Sequence, residues 1–435
     1  MSTHPQYRLS DFSRIHFIGI GGIGISALAN LCVAEGKQVS GTNDNESPAT
    51  LDGLRAKGVE ISLDVSVLPP ADLYVFSEAW RTLNSSLLEQ AVASGVPTIN
   101  YFDALGLLAN DYYLIAVSGS HGKTTTTAML IDVFEAAGFD PSAVVGSLRA
   151  KSRTNYRIGK SKFFIAEACE YRRDFMSLEP DILVITNLEH EHVDYYKDLK
   201  SVQAAFRDLA LKVPTDGFIV ANLGEANVRE VLVDDIKATV VDYTKSLDPL
   251  RRLKVPGLHN QMNAAAAKAA AALAGIEDTV SETALANFSG TWRRFEYKGE
   301  VNGAKVYDDY GHHPTEIKAT IAGARELYPE AKLKLVYQPH TYSRTHGLFN
   351  DFVTALALAD EVHLLPIYAA REENESGVSS ERLVKEMAKN GHQAKAWPDF
   401  DSVTATLKAD AQSGEVILVM GAGNVTEVAD RLTKT

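Results

Sequence analysis

The sequence predicts an α/β protein of three domains built on mainly parallel sheets, and three observations predict it. Short β-rich runs alternate with helical stretches from end to end, the pattern of strands joined by crossover helices. Two of these runs feed glycine-bearing turns that open helical patterns, at Gly19–Gly24 and Gly119–Gly122. A chain of 435 residues also exceeds what one hydrophobic core usually organises.

The first domain, residues 1–108, opens with the strand Ile15 to Ile18. It turns through Gly19-Ile20-Gly21-Gly22-Ile23-Gly24 and continues into a helix bearing Leu28 and Leu31. Glycines at 19, 21 and 24 match GxGxxG after a strand and before a helix, a turn that seats a diphosphate on a helix N-terminus. Asn43 or Asp44 falls near the ribose position of a dinucleotide site. A dinucleotide and a nucleoside-diphosphate sugar both carry a pyrophosphate, so the loop fits either. Leu73 to Phe76 is a further strand, and Pro97 to Leu108 carries the chain onward.

The second domain, residues 109–289, begins with the apolar run Tyr112 to Val117 and the loop Gly119-Ser120-His121-Gly122-Lys123-Thr124-Thr125. Backbone N–H groups of such a loop converge on phosphate oxygens, Lys123 neutralises their charge, and Thr124 can hold Mg²⁺. The match to GxxxxGK[ST] is partial, because Val117 stands where the first glycine belongs. Met129, Leu130, Val133 and Phe134 give the next helix its apolar stripe. Two later runs, Phe163 to Ala166 and Ile182 to Ile185, end at Glu167 and at Thr186-Asn187. Polar groups therefore gather at the carboxyl ends of strands, where open α/β sheets bind ligands. Beyond them, Leu188-Glu189-His190-Glu191-His192-Val193-Asp194 sets carboxylates and imidazoles near the phosphate loop. Glu167, Thr124 and His192 are the candidate metal ligands for a cation shared with ATP. An Ala-rich helix follows Pro256-Gly257-Leu258-His259-Asn260.

The third domain, residues 290–435, returns to strands at Val306 to Tyr307, Leu333 to Tyr337, Val362 to Leu365 and Val416 to Met420. Arg293 and Arg294 precede them, and one planar fork of this pair can clamp phosphate oxygens. Asp308 to Pro314 ends a strand with two histidines able to position or deprotonate a substrate. Gln338 to Thr345 follows another and carries Arg344, a carboxylate binder.

Composition narrows the partners. A net charge of -13 excludes a nucleic-acid backbone as the main one, which needs a basic footprint. Cys32 and Cys169 are the only cysteines, too few for a disulfide framework and suited to a reducing cytoplasm. No apolar run reaches membrane-spanning length and the polar segment Met1 to Ser13 has no signal-peptide core. The expectation is a cytoplasmic monomer or homodimer acting on small molecules.

Taken in order, FIGIGGIGISALA, GSHGKTTTTAML, ITNLEHEHVDYY, GLHNQMNAAAA, RRFE, DDYGHHPTE and QPHTYSRT closely resemble the Mur ligases over nearly the whole chain. The resemblance implies a Rossmann-like N-terminal domain, a P-loop ATPase-like central domain and a Rossmann-like C-terminal domain. It implies an ATP-dependent ligase of peptidoglycan precursor synthesis that joins UDP-N-acetylmuramate to L-alanine through an acyl phosphate, with closure of the third domain onto the second. UDP then occupies Gly19, Gly21, Gly22 and Gly24 with Asn43 and Ser77. ATP takes Gly119, Ser120, His121, Gly122, Lys123, Thr124 and Thr125. Asn260 and Asn263 lie on its adenine side, Arg294 at the γ-phosphate and Asp309 at the ribose. Thr124 and Glu167 hold one Mg²⁺ and His192 a second. His312, His340 and Arg344 face the amino acid and the acyl group, with Lys123, Arg294, His192 and His312 as the catalytic set.

The chain departs from the commonest family pattern at Asn43, Cys169 and Asn424, where aspartates are frequent, at Thr341 in place of an arginine, and at Arg371 in place of a glycine. Three other readings fit parts of the sequence: a ligase adding a preformed peptide to the same sugar nucleotide, an NAD-dependent oxidoreductase, and a non-catalytic UDP-sugar sensor. The oxidoreductase leaves Lys123 without a purpose, and the sensor has no need of Lys123, Thr124, Glu167 and His192 together.

Overall fold

The computed structural model describes residues 7–83, 85–193, 195–233, 235–247, 253–370 and 372–434. Asp194 and Arg371 lie outside them. The chain forms two compact units, one of Met1–Arg251 with Asn263–Asn287, the other of Arg252–Met262 with Phe288–Thr435.

The first unit contains two sheets. One is built from β1 (Arg14–Ile18), β2 (Gln38–Thr42), β3 (Glu60–Ser62), β4 (Leu73–Phe76) and β5 (Thr98–Asn100). Its order is β3-β2-β1-β4-β5, and every pair is parallel. β1 therefore lies where the strand order reverses, and the crossovers on its two sides leave a crevice at its carboxyl end. Gly19 to Gly24 occupies that end, and helix Ile23–Ala34 follows. The segment Pro97 to Leu108 is a fifth strand plus helix Tyr101–Ala109, more ordered than the sequence suggests.

The other sheet holds β6 (Tyr113–Ser118), β7 (Ser142–Val144), β8 (Tyr156–Arg157), β9 (Phe163–Glu167), β10 (Ile182–Ile185), β11 (Phe218–Ala221) and β12 (Thr239–Asp242). Its order is β12-β11-β10-β6-β9-β7-β8, parallel except for the pair β7 and β8. β6 is interior, with β9 and β10 beside it. All four residues of β10 are fully buried, which is why it reads as an unbroken apolar run rather than an alternating one. Each such side chain contributes about 1.5–3 kcal/mol of burial. Helix Lys123–Ala136 packs Met129, Leu130, Val133 and Phe134 into the core.

The second unit carries β13 (Glu296–Val301), β14 (Ala304–Asp309), β15 (Lys332–Tyr337), β16 (Glu361–Leu364), β17 (Ala394–Ala396) and β18 (Glu415–Met420). The order is β13-β14-β18-β15-β16-β17, with only β13 and β14 antiparallel. Asp308 and Asp309, expected just past a strand, are its last two residues, paired with Val419 and Met420 of β18. Both are buried. The strand extends this far because each carboxylate finds partners: Asp308 meets Thr426 and Arg293, and Asp309 accepts two backbone N–H groups.

Candidate active site

In the first sheet the glycine loop is fastened from one side. Gly21 N–H donates to Asn43 Oδ1 at 3.1 Å, Asn43 Nδ2 donates to Asn45 O at 2.8 Å, and Thr50 Oγ1 donates to Gly21 O at 2.7 Å. A Cβ at Gly21 would stand 2.6 Å from Asn43 Nδ2, so the glycine and the asparagine fit as a pair. Gly19 lies in the left-handed region at φ +80°. Gly22 is the N-cap of helix Ile23–Ala34, so that helix presents its unpaired N–H groups at the loop. Ser77 follows β4 and donates its N–H to Ile18 O at 3.0 Å, which puts it beside the end of β1.

The phosphate loop between β6 and helix Lys123–Ala136 is braced by the segment that continues β10. His121 N–H donates to Asn187 Oδ1 at 2.9 Å, and Asn187 Nδ2 and Thr186 Oγ1 donate to His121 O at 2.9 and 2.6 Å. Glu189 N–H donates to Ser120 Oγ at 2.8 Å. Gly122 has φ +82°, and a Cβ there would collide with the Asn263 amide, so a side chain has no room. Thr125 is buried in the first turn of the helix.

Lys123 Nζ donates to Gly119 O at 2.6 Å, Ser120 O at 3.1 Å and Glu170 Oε1 at 3.0 Å. Burial pulls the ammonium down, but Glu170 outweighs it and holds the lysine above its usual range. Burial likewise pushes Glu170 up, and Lys123 and then His192 bring it below the usual carboxylate range. His192 Nε2 lies 3.3 Å from Glu170 Oε1, and its ring packs 4.7 Å from that of Tyr171. Thr124 Oγ1 donates to Glu167 Oε1 at 2.9 Å, while Glu167 Oε2 accepts the N–H of Gly146 at 2.7 Å. The structure thus brings Lys123, Thr124, Glu167 and His192 to one edge of the sheet.

Glu170 is the residue that sequence reasoning missed. Its signal is weak, a second glutamate three residues after Glu167 in an irregular stretch, and only the fold shows it buried between a lysine and a histidine.

In the second unit, Arg293 and Arg294 have different surroundings. Arg293 is buried, donates to the carbonyls of Gly421 and Gly423, and faces Asp308 at 3.4 Å, so it pins the loop after β18. Arg294 lies 3.5 Å from Glu316 and over the Tyr310 ring. Asp309 accepts the N–H groups of Phe295 at 2.8 Å and Gly311 at 2.7 Å. Burial raises its pKa to about 6, with Arg294 acting in the opposite direction. Asn260 is buried and donates to Pro256 O at 2.7 Å. His312 donates its backbone N–H to Glu316 Oε2 at 2.9 Å, and its ring Nδ1 lies 3.5 Å from the same oxygen. The rings of His312 and His340 are 5.9 Å apart, and Arg344 Nη1 donates to His340 O at 2.8 Å. Burial, then Arg344, lowers the His340 pKa to about 4, so its ring is neutral at pH 7.

Comparison with known proteins follows this geometry along the chain. Residues 14–113 match the model described as Mur ligase family, catalytic domain, residues 117–248 the Mur ligase middle domain, and residues 293–423 the Mur ligase, glutamate ligase domain. This chain belongs to the Mur ligase family. Among its relatives, the UDP-N-acetylmuramate–L-alanine ligase of Agathobacter rectalis is 38% identical, covering 98% of this chain and 99% of the relative. That of Caldanaerobacter subterraneus is 37% identical over 97% and 98%. The structure of UDP-N-acetylmuramate-alanine ligase from Thermotoga maritima aligns with TM-score 0.79 and 25% identity, covering 96% of this chain and 98% of that one. A murein peptide ligase from Psychrobacter arcticus shares the fold at TM-score 0.71 and 22% identity over 96% and 97%.

For a Mur ligase, several departures have local explanations. Asn43 closes the first loop through both ends of its amide. Cys169 sits beside Glu170, where burial and that carboxylate push its thiol up to about 12. Thr341 Oγ1 meets Ser343 Oγ at 3.1 Å and Asn424 Nδ2 donates to Glu427 Oε1 at 3.3 Å. The donors near the phosphate loop suit a magnesium ion: a hydroxyl and a carboxylate are hard oxygen ligands. Glu170 Oε2, buried and 2.8 Å from Lys123 Nζ, makes no aligned hydrogen bond.

Proposed function

We propose that this chain is an ATP-dependent ligase that joins the carboxylate of UDP-N-acetylmuramate to the amino group of L-alanine, in peptidoglycan precursor synthesis. The observation that carries the reading is the pair of glycine cradles on separate sheets, the second equipped with an ion pair between Lys123 and the buried Glu170. Relatives with that name, similar over almost their whole length, support the choice of acceptor and amino acid. Likeness to the Psychrobacter arcticus peptide ligase, 22% identical, extends to the fold alone. An oxidoreductase or a silent sensor has no use for the second cradle.

The first cradle holds the diphosphate of the sugar nucleotide on loop N–H groups and the helix N-terminus. In the second, the ATP phosphates draw Lys123 from the carbonyls of Gly119 and Ser120, because a phosphate oxygen is the stronger partner. The substrate carboxylate attacks the γ-phosphorus, the bond to the ADP oxygen breaks, and an acyl phosphate forms. The amine then attacks the acyl carbon, loses a proton, and phosphate leaves. Lys123 stabilises charge building on the transferred group, and Arg294 serves the same charge. Thr124 and Glu167 would hold Mg²⁺, with His192 toward a second ion, and the metal supplies neutralisation of phosphate charge. Asn260, Asn263 and Asp309 serve the nucleoside of ATP. His312, His340 and Arg344 serve the amino acid, whose carboxylate suits a planar guanidinium. No helix among the described residues is long and apolar enough to cross a membrane. We take the enzyme to act in the cytoplasm as a monomer or homodimer.

The test is product mass. Protein incubated with UDP-N-acetylmuramate, ATP and Mg²⁺, and separately with L-alanine, L-serine, glycine or a peptide, should yield with L-alanine a product heavier by one alanyl residue, with one phosphate released per amide, and little product with the others. Product with the peptide alone, or ATP-independent change in a nicotinamide cofactor, overturns the reading.

A further inference from the structure

Two aromatic side chains border the first glycine loop, and nothing in the reaction above uses them. Trp80 is 4% exposed, and the Nε1 and Cδ1 atoms of its indole lie against Gly19, where any Cβ would collide with both. Tyr101 borders the other end of the loop: a Cβ at Gly24 would stand 2.8 Å from its Cζ and 3.0 Å from its hydroxyl oxygen. These two glycines are therefore required by the rings as well as by an approaching phosphate.

Both rings are held in place. The backbone N–H of Trp80 donates to Ser77 O at 2.8 Å, and the indole belongs to the apolar cluster of Ile18, Tyr74 and Phe76. Tyr101 is the first residue of helix Tyr101–Ala109, whose N-cap Asn100 accepts the N–H of Asp103 at 2.8 Å. Their polar tips are unused, however. Among the described residues neither the indole N–H of Trp80 nor the hydroxyl of Tyr101 has a hydrogen-bond partner.

Both tips reach solvent at the loop rather than being sealed in the core, so each donor is placed to pair with an acceptor on a ligand seated there. An indole N–H can only donate, and at Gly19 the acceptor within reach is a diphosphate oxygen. Tyr101 lies nearer the second sheet of the same unit. Burial, then the charges of Glu167, Cys169 and Asp174, raise the pKa of its hydroxyl, which keeps it protonated and able to donate. That is the side toward which the acid end of the sugar nucleotide must extend to meet ATP.

We propose that Trp80 and Tyr101 are ligands of the sugar nucleotide, the indole N–H binding its diphosphate and the phenol hydroxyl its acid-bearing sugar. The inference rests on the ligase reading above.

Trp80→Phe and Tyr101→Phe keep the rings and remove only the donors. Calorimetry on the full chain without ATP compares UDP with UDP-N-acetylmuramate, and steady-state KM for ATP serves as a control for folding. Trp80→Phe should weaken both ligands roughly tenfold, the loss expected for a hydrogen bond to a charged group. Tyr101→Phe should weaken UDP-N-acetylmuramate by roughly three- to tenfold and leave UDP unchanged. Binding of UDP should also quench tryptophan fluorescence in the unaltered chain, and Trp80→Phe should remove that quench. Unchanged affinities in both variants overturn the proposal, because the rings then only pack. An equal loss for both ligands in Tyr101→Phe overturns its assignment to the sugar. If the unaltered chain binds neither ligand, the ligase reading fails and this inference with it.

Discussion

Lys123 Nζ stands 2.8 Å from Glu170 Oε2, and the carboxylate is 1% exposed. A pair of this kind is poised: the carboxylate is out of solvent and the lysine side chain only 13% exposed, so an incoming phosphate finds the ammonium largely desolvated and aimed. Lys123→Ala should lower kcat by roughly 10²–10³-fold or more. The Kd for UDP-N-acetylmuramate should stay within about twofold of the unaltered chain, since the first cradle stands on a different sheet. Calorimetry alongside a phosphate-release assay reads both. Loss of sugar-nucleotide binding in a folded Lys123→Ala protein contradicts the separation of the two cradles.

The same pair should matter for folding. Glu170→Gln leaves Lys123 buried opposite a neutral group, a change that costs about 3–5 kcal/mol. Adding Lys123→Met should recover much of that loss, because removing both partners avoids an uncompensated charge. Urea unfolding of the single and double variants measures it. Equal destabilisation in both would mean that the ion pair is not the source.

Alanine at a glycine separates the two loops from the other direction. Gly21→Ala pushes a Cβ into the Asn43 amide and should weaken UDP-N-acetylmuramate at least tenfold with little change in KM for ATP. Gly122→Ala adds Cβ strain at φ +82°, worth about 1–2 kcal/mol, and crowds Asn263. It should raise KM for ATP and spare the sugar nucleotide. Steady-state kinetics with each substrate varied in turn distinguishes the two patterns.

His16 is fully buried in β1 between the hydroxyls of Ser40 and Thr42, and burial lowers its pKa from 6.5 to about 4. Between those values the unfolded chain takes up a proton that the folded chain refuses. Its contribution to stability is therefore complete above about pH 6.5 and is lost as pH falls toward 4. Denaturant midpoints from pH 7 to 4.5 should decline, and less steeply in His16→Gln, by up to about 1.4 kcal/mol per pH unit. An identical slope in the variant would exclude this histidine as the cause.

Burial raises the thiols of Cys32 and Cys169 each to about 12. Thiolate is the reactive form, so a disulfide reagent at pH 7.5 should modify neither quickly in the native chain and both after denaturation. ATP with Mg²⁺ should not speed the reaction. Rapid native labelling at Cys169 would mean that Glu170 and Lys123 leave it more open than the structure has it.

Legibility in the sequence follows burial. β4 and β10 are readable because all their side chains are buried and apolar. β2, with Ser40, Gly41 and Thr42, is not; its polar residues are occupied by His16 and the first glycine loop, contacts invisible without the fold. Glycine loops at strand ends declare themselves, since spacing alone forces the turn. Lys123 and Thr124 are readable for that reason. Glu170 is not, because a glutamate in an irregular stretch looks solvated until tertiary structure encloses it. Arg293 and Arg294 look interchangeable in sequence, yet one fixes the loop after β18 and the other meets Glu316 and Tyr310.

β6 has a neighbour on each edge, and the phosphate loop grows directly from its end. Any shift of that strand breaks two hydrogen-bonded ladders at once, so the power-generating part of this enzyme has almost no freedom to drift. Novelty in what is coupled to what must then arise in the flanking sheets, around an engine that stays the same.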